Sequence, residues 1–161
     1  MKELKKCIIK RGKNKMRLWH YELLSYLPNS QLLSQKRECD LIWKDIANGK
    51  KTNHILINYI WEYEDYLKQL NIYYVLLKKE FEMRGIKFNP KHTMLKLDLV
   101  ESYCSVSQPF KYHHNDRYLL QCFYNLQEKY DRGQKDFDMW TYRKLEKFIR
   151  EKFCYNKKGL E

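Results

Sequence analysis

The sequence predicts an all-α fold, compact and single-domain, and three observations carry that prediction. Only 5 Gly and 3 Pro interrupt 161 residues, too few for a sandwich of short strands, which needs a turn signal every ten residues or so. Several segments repeat their apolar residues at three- and four-residue spacing, the period of a helix with one buried face. The composition, 43% apolar and 16% aromatic, is that of a packed core and not of a disordered chain.

Taken in order, residues 1–15 are a basic extension with no apolar periodicity. They hold seven Lys or Arg against Glu3 and so carry half of the formal charge of +12. One reading is a disordered basic arm that touches DNA. The other is a translated upstream region: Lys10-Arg11-Gly12-Lys13 can be encoded by a purine-rich stretch resembling a ribosome-binding site just before the Met16 codon. Translation is then expected to begin at Met16.

A first helix is predicted after Pro28, with Asn29 or Ser30 as its N-cap and Gly49 as its stop. Leu32, Cys39, Trp43 and Ile46 share one narrow arc of it, while Gln31 and Glu38 stack beside that arc and Arg37 lies well round from them. The region from Asn53 to Arg84 gives the strongest helix prediction, with Ile57, Ile60, Trp61, Tyr63, Leu67, Leu70, Tyr74, Leu77 and Phe81 recurring at mixed three and four spacing up to Gly85, and its length predicts a break near Glu62 to Asp65. Residues 86–112 read as a connector with a short helical piece near Met94 to Tyr103. Helices are predicted again over Asp116 to Tyr130 and from a cap at Asp138 through Phe153, the last with Trp140, Leu145, Phe148 and Ile149 inward. The helical domain thus spans 16–155, followed by a tail at 156–161.

The positive balance, with a pI near 9.4, points to a polyanionic partner. The five cysteines form no CxxC pair and no zinc-finger spacing, so free thiols in a reducing cytosol are expected. No apolar run approaches the ~20 residues of a membrane span, which predicts a cytoplasmic protein without a membrane partner.

Met16-Arg17-Leu18-Trp19-His20 and, further on, Gln31-Leu32-Leu33-Ser34-Gln35-Lys36-Arg37-Glu38 bring a family into view. The ungapped stretch from Met16 to Glu38 resembles the phage endonuclease V type of pyrimidine-dimer DNA glycosylase and a group of short bacterial proteins that open in the same way. The likeness resumes at Ala47-Asn48-Gly49-Lys50, four residues shorter than the phage pattern, and ends at Met83-Arg84-Gly85. Asn125 to Lys129 would fall on the family's DNA-contacting C-terminal helix.

The resemblance implies a monomeric glycosylase and abasic-site lyase that acts on double-stranded DNA and needs neither metal nor cofactor. An N-terminal α-amine, here that of Met16, attacks C1′ of the damaged nucleotide. An α-amine suits this role because its pKa of about 7.7–8.0 leaves a useful fraction neutral, unlike lysine near ~10.4. Glu38 falls on the catalytic glutamate, which would stabilise developing positive charge and move protons. Arg37 would bind a phosphate. Arg17, His20, Gln31, Lys50, Lys51, Arg84 and Lys129 complete the expected substrate-binding set.

The chain departs from the phage pattern at three positions. Arg17 stands where a small residue follows methionine, Gln31 replaces a substrate-contacting histidine, and Leu41 replaces an arginine. His20 has two readings, a site donor in place of those lost or a packed histidine beside Trp19. His113-His114 are assigned no metal role, since adjacent helical residues diverge by ~100° and no third ligand is spaced to join them. Two alternatives stand beside the enzyme: a nucleic-acid-binding module that keeps the fold without the chemistry, and a helical protein that binds another protein.

Overall fold

The computed structural model describes residues 16–89 and 108–155. The basic extension, the helical piece expected near Met94 to Tyr103 and the tail all lie outside the described residues. An extended segment over residues 16–20 leads into a 3-10 turn, Tyr21–Tyr26. Among the described residues four α-helices follow: α1 (Asn29–Ala47), α2 (Tyr66–Met83), α3 (Asp116–Asp131) and α4 (Met139–Tyr155), with a second 3-10 turn, Asn58–Glu62, before α2. Among the described residues there is no strand.

The first 3-10 turn is the hub. It packs against α2, α3 and α4, while α1 packs on α2 and α3 on α4. One apolar cluster joins all of these elements, with Leu18 and Leu23 from the N-terminal region, Trp43 from α1, Tyr73 and Phe81 from α2, Leu119 and Leu126 from α3, and Leu145 from α4. The short N-terminal segment is therefore core, and it reaches every helix.

Local signals set most helix ends. At the end of α1, Gly49 adopts φ 68°, which lets its N–H reach the Ile46 carbonyl at 2.9 Å and the Lys50 N–H reach Asp45 at 2.8 Å. These paired bonds satisfy carbonyls the helix leaves open, in a conformation that costs glycine nothing. Asp138 caps α4 as its position predicts, accepting from the N–H groups of Trp140 at 2.8 Å and Thr141 at 2.9 Å.

Three expectations need correction. Neither the Asn29 nor the Ser30 side chain caps α1; Pro28 occupies that position, and the cap comes from Asp136, whose carboxylate accepts from the Ser30 N–H at 2.7 Å and the Ser30 hydroxyl at 2.6 Å. The break before α2 is where it was expected, yet the stretch preceding it is not α-helical. The His54 carbonyl instead takes the N–H groups of Ile57 and Asn58, folding a turn. Finally, Trp140 is 69% exposed. At 100° per residue it stands half a revolution from buried Ile149, so it cannot share that face.

Candidate active site

An extended segment has no ladder or helix of its own to satisfy its backbone, so buried side chains must do so. Residues 17–20 recruit one from each of three helices. Gln35 of α1 accepts from the Trp19 N–H at 2.7 Å and donates to the Arg17 carbonyl at 3.0 Å. Tyr73 of α2 donates to the Trp19 carbonyl at 2.8 Å, and Tyr118 of α3 to the Leu18 carbonyl at 2.6 Å.

This lashing brings the segment to Glu38. The backbone N–H of Arg17 donates to Glu38 Oε2 at 3.3 Å, and the Gln35 amide donates to the same oxygen at 3.2 Å. Burial pushes the Glu38 carboxyl up to about 7, against the opposing pull of the Arg17 N–H, Lys129, the Arg17 charge and Gln35. Desolvation wins because the cations remain at a distance: among the described residues, no cation lies within 4 Å of this carboxylate. A carboxyl titrating near neutrality can both accept and return a proton at physiological pH.

Glu38 lies in a groove of about 500 Å³ whose walls are the N-terminal segment, α1 and α3. Met16, Arg17, Gln31, Arg37 and Lys129 line it too, so six of the predicted site residues meet here, joined by Trp19, Ser34, Leu41 and Asn125. The Arg17 guanidinium lies over the Trp19 ring at 5.3 Å. Gln31 is held from outside, donating to Gln134 Oε1 at 3.0 Å. A cationic rim around a half-buried carboxylate suits a polyanion whose reacting atom must approach an acid-base group. A second hollow of similar size, bordered by Glu62, Glu64 and Asp65, would repel the same ligand.

Residues 16–94, which include the Arg17–Glu38 contact, match the family model described as pyrimidine dimer DNA glycosylase. Over this stretch, just under half of its length, the chain is similar to the pyrimidine dimer DNA glycosylase family. No curated protein and no solved structure matches it.

Four of the residues expected at the glycosylase site lie elsewhere. His20 is 1% exposed; its Nε2 donates to the His114 carbonyl at 2.8 Å and its Nδ1 accepts from the Glu22 N–H at 3.3 Å. Burial lowers its pKa, so it is a neutral packing residue that caps the first turn. The Arg84 guanidinium donates to the carbonyls of Leu24, Ser25 and Leu27, to Asn29 Oδ1 and to Glu80. Those five bonds use every N–H an arginine has, leaving none for a phosphate. Lys50 and Lys51 are exposed beyond the C-terminus of α1, whose last residue, Ala47, is on the order of 14 Å along the helix axis from Glu38, and Lys51 lies over Trp61 at 5.8 Å.

The adjacent histidines occupy a turn before α3, not a helix. His114 accepts from the Tyr21 N–H at 3.4 Å and bonds the Tyr59 hydroxyl at 2.8 Å, while His113 stacks on Tyr59 at 3.6 Å. Among the described residues, no group of three or more His, Cys, Asp or Glu is placed to hold a metal ion.

Residue-by-residue reading overlooked Gln35. For Gln35 a signal existed, since at 100° per residue it borders the arc of Leu32, Cys39, Trp43 and Ile46, between that arc and Glu38. A fully buried glutamine beside an apolar stripe needs partners. Here they are the N-terminal segment and Glu38.

Proposed function

We propose that this protein is a DNA glycosylase and abasic-site lyase for pyrimidine dimers in duplex DNA, working through an α-amine at the start of the family segment. The observation that carries the reading is the hydrogen bond between the Arg17 backbone nitrogen and Glu38 inside the cation-rimmed groove. In the 161-residue chain that nitrogen is an amide and cannot attack. Initiation at Met16 gives an amine one residue further out; removal of Met16 places the amine at the nitrogen Glu38 already holds.

The steps follow from these groups. The neutral amine attacks C1′, and as the new N–C1′ bond forms the glycosidic C1′–N bond breaks, its electron pair leaving with the base. Ring opening, with a proton delivered to O4′, leaves a C=N iminium. Glu38 then takes a proton from C2′, and the released pair expels the 3′ phosphate oxygen. Its ionised form stabilises the cationic centre and its protonated form returns the proton, which a pKa of about 7 makes accessible within one pH range. Arg37, Arg17 and Lys129 would hold the flanking phosphates.

Borohydride trapping on UV-irradiated and abasic duplexes, with chains starting at Met1, Met16 and Arg17, tests the proposal. Covalent adduct is expected from a shortened chain and none from the Met1 chain, because reduction captures only a C=N bond to a free amine. A groove that binds DNA yet yields no adduct with any start would establish the binding module, the reading favoured by Gln31 and Leu41 at positions where the phage pattern carries histidine and arginine.

A further inference from the structure

Gln35 is fully buried, and every hydrogen-bonding position of its amide toward the site is engaged. Its orientation is unambiguous. The Trp19 N–H can only donate, so it must face Oε1; the Arg17 carbonyl can only accept, so it must face Nε2. The two amide hydrogens then divide between the Arg17 carbonyl and Glu38 Oε2, at 3.0 and 3.2 Å. One side chain thereby grips the backbone on both sides of Leu18 and, with its remaining hydrogen, the carboxylate. Glu38 stands one helical turn further along α1, on the same face.

We infer that Gln35 is the positioning residue of this site, tying the amine-bearing segment and Glu38 into one rigid unit so that nucleophile and proton carrier keep their separation as DNA enters. The inference rests on the glycosylase and lyase reading above. It assigns Gln35 no contact with substrate: its amide is spent on the protein. A side chain that merely filled core volume would be replaceable by one of the same shape, whereas this role requires an acceptor and two donors.

Changing Gln35 has a chemical signature because its N–H is one of the groups that hold Glu38 in the ionised form. The charged groups facing Glu38 from other elements are Arg17 on the extended segment and Lys129 on α3. Cys39 on α1 and Tyr118 on α3 are its titratable neighbours, and burial raises the pKa of both, keeping them neutral. Substituting Gln35 leaves both cations and Tyr118 in place; on Cys39 it removes a contact that favours the thiolate, so that thiol stays neutral.

The test compares wild type, Glu38→Gln, Gln35→Met and Gln35→Glu, all with whichever shortened start gives adduct, by single-turnover borohydride trapping across pH 5 to 9. Gln35→Met keeps the shape without the bonds and should trap roughly 10- to 100-fold more slowly, with the rising limb of its profile displaced to higher pH and its DNA affinity within about twofold of wild type. Gln35→Glu should invert the profile. Protonated, the new acid offers a carbonyl to Trp19 and an O–H to its neighbour, imitating the amide; ionised, it sets a charge against the Arg17 carbonyl and Glu38. Activity should therefore be best in acid and fall as pH rises. Should Gln35→Glu fail to fold, the carboxyl carbon of Glu38 followed by NMR in Gln35→Met must titrate at higher pH than in wild type, and unchanged titration overturns the inference. Wild-type trapping that Glu38→Gln abolishes, with both Gln35 variants keeping the wild-type profile, also overturns it while leaving the glycosylase reading intact. No adduct from any wild-type start removes both.

Discussion

Two carboxylates two residues apart on α1 show how one helix builds both scaffold and site. Asp40 is buried and completed on every side: Lys36 donates to Oδ2 at 2.7 Å and the Tyr74 hydroxyl to Oδ1 at 2.8 Å. Glu38 is half-buried and left incomplete, with two neutral N–H donors on one oxygen and a groove before the rest. Burial raises the Glu38 pKa because its few partners do not offset the lost solvation. The protein supplies the partner where the carboxylate holds helices together and withholds it where charge is to be moved.

The comparison predicts opposite outcomes for the same chemical change. Glu38→Gln should reduce adduct formation by roughly 10²- to 10⁴-fold, the usual worth of a positioned proton carrier, while raising thermal stability above neutral pH. The sign follows from the raised pKa. Between about 4.5 and about 7 the folded carboxyl holds a proton that the unfolded one has released, so its contribution is full below the lower value and is lost as pH rises through the upper. Glutamine resembles the protonated form at every pH, and the gain at pH 8 should be on the order of 2 kcal/mol. Asp40→Asn, in contrast, should leave trapping within a few-fold and lower stability by about 2 kcal/mol, by stranding Lys36. Thermal melts at pH 5 and 8 beside trapping rates separate the two. A stability gain from Asp40→Asn would break the comparison.

The same division separates two cations that sequence reading grouped together. Arg84→Ala should cost on the order of 3 kcal/mol, because it abandons four acceptors near the end of the first 3-10 turn and Glu80, and should leave the affinity of the remaining folded protein for duplex DNA nearly unchanged. Lys129→Ala should leave the melt within about 0.5 kcal/mol and weaken DNA binding, with the slope of log affinity against log salt reduced by about one. Equilibrium binding at several salt concentrations distinguishes the two.

What could be seen in the sequence was what chemistry decides locally. Asp138 caps the helix that begins at its own shoulder, Gly49 ends α1 in the conformation that few other residues adopt, and the Glu62 to Asp65 break falls inside one periodic stretch. Five of the six predicted residues in the groove were likewise legible, because a motif with no gap from Met16 to Glu38 keeps their spacing, and the sixth, Lys129, came from the separate likeness over Asn125 to Lys129. Hidden from it were the roles assigned by distant partners. A basic residue at position 84 looks the same whether it meets phosphate or five acceptors of its own chain, and His20 is a site candidate until a carbonyl from position 114 takes its Nε2. Trp140 differs: its exposure was available from helical geometry, since it stands opposite Ile149.

The smallest predicted effect concerns a residue outside the groove. Asp136 has φ 64°, the left-handed region that a non-glycine residue seldom enters, and from there its carboxylate caps α1 across the molecule. Because the Ser30 hydroxyl donates its only proton to Asp136, it must accept from Gln134 Nε2, at 3.2 Å. Gln134 therefore turns its oxygen toward Gln31, whose Nε2 it holds at the groove wall. Asp136→Ala removes the cap and the first link of this chain. It should cost about 1 kcal/mol and, by freeing the Gln31 amide, weaken duplex binding by about twofold with the single-turnover rate of bound DNA unchanged. Asp136→Asn, which keeps an acceptor and tolerates the same backbone, should recover most of both losses. A full loss of stability with DNA affinity untouched would confine Asp136 to the scaffold, on the Asp40 side of the comparison, and would mean that Gln31 keeps its place in the groove without help.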